Sequence, residues 1–122
     1  VFKLKKFLIV ATHGSKNAER ATIPFALANA IIKAGNDVVL FLAADAVEII
    51  KKGEAEKINA PNFPPLRDLL LNLLKSKTRI ITCLPCAKNR GIKPEDAITG
   101  VSFGAGPELA IEMSYADNIV SF

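Results

Sequence analysis

A chain of 122 residues, half of them apolar and 23% charged, makes one folded domain over residues 1–122, with enough apolar content for a core that needs neither disulfides nor a structural metal. No apolar run approaches the ~18–20 residues required to cross a bilayer, which excludes a membrane-spanning helix. The net charge of +4 is modest, and a mean hydropathy of +0.28 points to apolar surface buried between subunits.

Residues 6–11 (KFLIVA) read as a short buried strand, ended by the turn Thr12-His13-Gly14-Ser15. The basic start and the apolar stretch 7–11 are too short for a secretory leader. A helix is predicted over 18–34 and stopped by Gly35, with Pro24 either near its true start or at a bend. Residues 37–43 (DVVLFLA) form a second strand, apolar on both faces, as in a parallel sheet covered by helices on both sides. Asp45 is expected to cap a short helix, with Glu48 completing a capping box and Gly53 ending the segment.

Residues 53–65 carry three prolines and no periodic pattern, the mark of a functional loop or lid. A leucine-rich helix over 66–74 follows, then a third strand at 78–83 (TRIITC). Short helical turns are expected at 86–89 and 94–98, a short strand at 101–103, a helix over 104–114 and a last strand at 118–122. Alternating strands and helices predict one doubly wound α/β domain.

Sites in open parallel sheets form beyond the carboxyl ends of the strands. That rule brings forward His13, Gly14 and Ser15 after the first strand, Asp45 after the second, and Cys83-Leu84-Pro85-Cys86 after the third. A thiol at a strand end, followed by a helical turn and by basic residues, is expected to have a lowered pKa and to act as a nucleophile. A thiolate of this kind can carry sulfur as a persulfide. The alternative is that Cys83 is a small buried hydrophobe, although a second thiol three positions on is uncommon by chance. The two cysteines close so small a loop that a structural staple is disfavoured, and a reducing, cytoplasmic setting with one or both thiols free is expected.

His13, the only histidine, is a candidate acid or base for the thiol, set against an ordinary polar turn residue. Ser15 is a candidate anion contact, set against a simple helix cap. Lys88 and Arg90 are candidate electrostatic support. They belong to a stretch over 75–93 that also holds Lys75, Lys77, Arg79 and Lys93 and has no acid. Without interleaved aromatic residues that stretch does not read as a nucleic-acid surface. Gly104-Ala105-Gly106 is only a fragment of a nucleotide-binding loop. One histidine and two cysteines lack a fourth zinc ligand, so neither a metal nor a cofactor is expected.

The segment from Cys83 to Ile92 (CLPCAKNRGI) resembles the C-x-x-C-x-x-x-R-G-I stretch of DsrE/DsrF-like proteins, the YchN-like branch most closely. Residues 41–47 (FLAADAV) are similar to the family's F-L-x-x-D-A-V. Gly100-Val101, Glu108-Leu109-Ala110 and residues 116–122 (ADNIVSF) match its carboxyl-terminal pattern in order and spacing. The resemblance implies a flavodoxin-like α/β domain with a mostly parallel five-stranded sheet, assembled into homotrimers or homohexamers. It also implies sulfur relay, with persulfide sulfur accepted on Cys83 from a donor protein and passed to an acceptor protein. Cys86 matches the second cysteine of the YchN-like branch. The turn after the first strand is shorter here than the family's Gly-Pro-rich loop, so no role is carried over to it.

Three functions compete: a sulfur carrier or sulfurtransferase, a C-x-x-C dithiol oxidoreductase, and an oligomeric binding module without chemistry. Against the second, thioredoxin-like motifs follow the first strand of their core, whereas this one follows the third.

Overall fold

The computed structural model describes residues 3–122. Five strands, β1 (Lys6–Ala11), β2 (Asp37–Leu42), β3 (Arg79–Cys83), β4 (Ser102–Gly104) and β5 (Asn118–Ser121), form a single sheet in the order β4-β3-β2-β1-β5. Every pairing is parallel. The middle strand β2, flanked by β1 and β3, is the most deeply buried, which explains its lack of polar alternation.

The connections β1→β2→β3→β4 all step the same way across the sheet. Right-handed crossovers therefore place α1 (Ala18–Lys33), α2 (Leu66–Lys75) and α3 (Leu84–Asn89) on one face. The last connection returns across three strands, so α4 (Gly106–Tyr115) alone, among the described residues, covers the opposite face. The two cores reflect this asymmetry. The larger joins Ile9, Phe25, Leu40, Ile50, Leu73 and Ile80 under the three helices. The smaller holds Leu8, Val39, Phe41 and Ile81 under α4, with Leu109 and Ala116 packed against it. Each fully buried side chain of this size stabilises the fold by roughly 1.5–3 kcal/mol.

The helix α1 runs unbroken through Pro24 and is capped by Asn17, whose side-chain oxygen accepts the Arg20 amide at 3.1 Å. Gly35 follows it in the left-handed region, at φ 86°. Ser15 does not cap this helix; it opens a 3₁₀ turn, Ser15–Asn17, and lies exposed. The capping box expected at Asp45 and Glu48 does not form either. Residues Ala44–Ile50 wind as a 3₁₀ helix behind Ala43, with no side-chain cap, because Asp45 is drawn to another partner.

The irregular segment 53–65 is folded down onto α2. It makes a 3₁₀ turn at Ala55–Lys57, buries Ile58 and Ala60, and its Ile58 carbonyl accepts the Leu66 amide at 3.2 Å. Among the described residues no helix is long and apolar enough to cross a membrane.

Candidate functional site

Adjacent parallel strands whose onward connections leave on opposite faces open a crevice at their carboxyl ends. Here those strands are β3 and β4: α3 follows β3 on one face, and α4 follows β4 on the other. Cys83 ends β3 and pairs in register with Gly104, the end of β4. The candidate thiol therefore stands at the switch point of the sheet, with Gly104-Ala105-Gly106 as its neighbour across the crevice. A Cβ on Gly104 would lie 3.0 Å from Glu108 and 3.1 Å from Ile81, so the close approach of α4 to the sheet favours glycine there.

Cys83 is also the N-cap of α3. Its sulfur accepts the Cys86 amide at 3.4 Å, and Pro85 occupies the first turn, where its missing N–H costs nothing. One helical turn brings positions i and i+3 to the same side. The two sulfurs are accordingly joined as a disulfide, with a Cα–Cα distance of 5.3 Å inside the usual range for such bonds. This corrects the expectation of free thiols. The small entropy gained by closing a short loop does not prevent the bond when helix geometry already presents the partners. Both cysteines are half-buried.

Arg90 closes the other end of α3. Its guanidinium donates to the Cys86 carbonyl at 3.1 Å and to the Asp45 carboxylate at 2.7 Å. The Arg90 hydrogen bond holds the Asp45 carboxyl below the usual carboxylate range, against the opposing effect of desolvation, and the charges of Arg90, Lys16 and His13 add smaller downward contributions. Asp45 follows Ala44, which adopts a left-handed φ of 50°. The β1 turn packs tightly on the same segment. A Cβ on Gly14 would fall 2.5 Å from the Asp45 carbonyl oxygen.

The remaining candidates are dispersed. His13 follows β1, two strands from Cys83, or about 10 Å at normal strand spacing. Its Nδ1 lies 3.3 Å from the Thr12 hydroxyl, which donates to the Phe122 carbonyl. Lys88 is exposed on α3. The acid-free basic stretch is not one surface, because β3 divides it. Lys75, Lys77 and Arg79 lie at the amino end of that strand, whereas Lys88, Arg90 and Lys93 follow its carboxyl end. Arg79 and Arg90 are each paired with a carboxylate.

A depression of about 590 Å³ lies at the amino end of β3 and β4, lined by Thr78, Arg79, Gly100 and Ser102. Neither cysteine lines it. The sequence reading missed the Asp45–Arg90 pair and the Gly14 contact. Both residues of the pair do occur in the segments that carry the family resemblance.

Comparison with known proteins bears on the fold and the family. Escherichia coli YchN superposes with a TM-score of 0.83 at 27% identity, covering 98% of this chain and 100% of that one. MTH1491 of Methanobacterium thermoautotrophicum, 10% identical, shares the fold at a TM-score of 0.69 over 97% of this chain and 99% of that one. MJ0989 of Methanocaldococcus jannaschii is 30% identical over 117 residues, 96% of this chain and 99% of its own length. MJ0760 of the same organism is 31% identical over 107 residues, 88% of this chain, and those residues span only 39% of that longer protein. The DsrE/DsrF-like family model matches residues 5–122, and the chain belongs to that family.

Proposed function

We propose that the protein is a sulfur carrier, acting as a sulfurtransferase, that takes sulfane sulfur as a persulfide on Cys83 and passes it to an acceptor protein. The observation that carries this reading is the position of the Cys83 sulfur. It stands at the β3–β4 crevice, receives the Cys86 amide hydrogen and lies within bonding reach of the Cys86 sulfur. An amide directed at sulfur from a helix start favours the thiolate, the form that attacks sulfane sulfur.

Loading begins from the reduced pair. The Cys83 thiolate attacks the terminal sulfur of a donor persulfide, R–S–SH, giving Cys83–S–SH and releasing R–S⁻. Attack by an acceptor thiolate on the outer sulfur moves it onward and regenerates the Cys83 thiolate. Attack by the Cys86 thiolate on the inner sulfur instead forms the Cys83–Cys86 disulfide and expels HS⁻. Cys86 therefore ends storage.

Mass spectrometry of the reduced protein after a persulfide donor tests the reading: an adduct of ~32 Da is expected on Cys83. Cys83→Ser abolishes it, and Cys86→Ser keeps it and lengthens its lifetime. An adduct that survives Cys83→Ser but not Cys86→Ser reverses the assignment. The joined sulfurs favour a second reading, dithiol–disulfide exchange with a protein partner. That reading prevails if no adduct forms with any donor while the pair cycles.

Assembly belongs to the same proposal. The outer side of α4 and the edge strand β5 expose Ile111, Met113, Tyr115 and Ile119, apolar surface that homotrimers or homohexamers would cover. Sedimentation at micromolar concentration is expected to give such an oligomer, and Tyr115→Glu to weaken it. A monomer alone counts against it.

A further inference from the structure

We infer that Asp45 and Arg90 form a clamp that positions Cys86, and so sets how readily the second thiol reaches the first. The inference deepens the proposed function and rests on it for its biological meaning, but the geometry that carries it is independent of sulfur transfer.

A six-residue helix such as α3 has little hydrogen bonding of its own to hold its turns. At its end the Arg90 amide turns to the Ala87 carbonyl at 3.0 Å, the tighter i−3 spacing. The Cys86 carbonyl is met by the Arg90 side chain at 3.1 Å. Cys86 is thus held from both sides, its N–H by the Cys83 sulfur and its carbonyl by a guanidinium. A guanidinium on a long side chain holds a carbonyl in place only if it is itself anchored. Asp45 supplies the anchor at 2.7 Å, from the loop after β2. The backbone of that loop is in turn confined by the Gly14 contact. Arg90 and Asp45 do not touch either sulfur and are positioning residues.

The chemical consequence is a higher effective concentration of the Cys86 thiol at Cys83. The equilibrium that reads it is Cys83–SH + Cys86–SH + GSSG ⇌ Cys83–S–S–Cys86 + 2 GSH, where glutathione disulfide is the oxidant and is reduced to two thiols. Without the clamp the last turn of α3 loosens, the reduced form gains conformational freedom, and the disulfide is disfavoured.

The experiment titrates the full chain with glutathione redox buffers and quantifies dithiol and disulfide by alkylation and mass. Arg90→Ala should lower the equilibrium constant about 5- to 10-fold, and Asp45→Asn about 3-fold, as for other intramolecular reactions that lose orientation. The double variant should match Arg90→Ala, because the second change removes an anchor with nothing left to hold. Arg90→Lys, with a single charged donor group in place of the fork, should recover only part of the loss.

An unchanged constant in folded Arg90→Ala overturns the inference, and so do strictly additive single effects. Asp45→Asn leaves Arg90 in place, so it carries the test if Arg90→Ala does not fold; an unchanged constant in that variant overturns the inference too. Because glutathione replaces any persulfide donor, failure of the clamp and failure of sulfur loading on Cys83 are separate results.

Discussion

The strand β3 has an arginine–carboxylate pair near each end, and the two pairs differ in burial. At the amino end Arg79 donates to Glu112 of α4, whose carboxylate is 4% exposed. Lys6 lies 3.5 Å from the other Glu112 oxygen, a charge contact without hydrogen-bond geometry, since that oxygen has no hydrogen-bond partner. Lys6 also lies over the Tyr115 ring, 5.7 Å from its centroid. At the carboxyl end Arg90 and Asp45 are 30% and 40% exposed. A buried carboxylate that loses its partner remains desolvated and costs several kcal/mol, whereas an exposed pair is worth little to folding. The first pair therefore ties α4 to the sheet. The second holds the turn that carries Cys86 and contributes little to folding, because water can replace either partner without unfolding the chain.

The largest effect that would break this contrast is at Glu112. Arg79→Ala is expected to destabilise the fold by about 2–3 kcal/mol, below the full cost of a buried pair because Arg79 itself is half-exposed and Lys6 remains. Denaturant unfolding measures it. The glutathione equilibrium of the folded fraction should not change. A loss no greater than that of Arg90→Ala would remove the distinction between the two ends.

A smaller effect sharpens the contrast from the other side. Gly14→Ala forces a Cβ against the Asp45 carbonyl oxygen, and the backbone on one side must move. About 1–2 kcal/mol of stability should be lost, as in other overpacked sites. Because the displaced segment carries the Arg90 anchor, the disulfide should also be disfavoured, in the direction expected for Asp45→Asn. Lost stability with an unchanged thiol equilibrium would show that the anchor tolerates the shift.

The smallest effect is electrostatic. Asp45 titrates lower in the folded chain than in the unfolded one. Its contribution is therefore fully present above the ordinary carboxylate value, about 3.9, and is lost only as pH falls through the lower folded value. Carboxyl NMR should place the Asp45 midpoint below 3.9, and Arg90→Gln should raise it towards that value. A wild-type midpoint at or above 3.9 would mean that the ion pair is not held in solution.

Local pattern made much of this molecule legible. β1 matches its expected span because six apolar-rich residues end at a turn, and α1 is bounded by the glycine that stops it. The C-x-x-C pair is visible at a strand end, and the resemblance over residues 41–47 and 83–92 points to the family. Those are properties of neighbours in the chain, and periodicity and spacing record them.

What pairs across the sheet left no such trace. The acid-free run 75–93 is continuous in the sequence, yet a strand five residues long carries its two halves to opposite rims. Asp45 looked like a cap for its own helix, and a partner 45 residues away claims it instead. Which of several strand ends forms the crevice depends on strand order, because the faces on which successive connections leave follow from their direction across the sheet. The sequence by itself determined the elements, their sequence along the chain and the position of the cysteine pair. Only the tertiary structure decided that Cys83 faces Gly104, that its helix is held from the β2 loop and that Glu112 is buried, because these contacts join residues that no local periodicity relates.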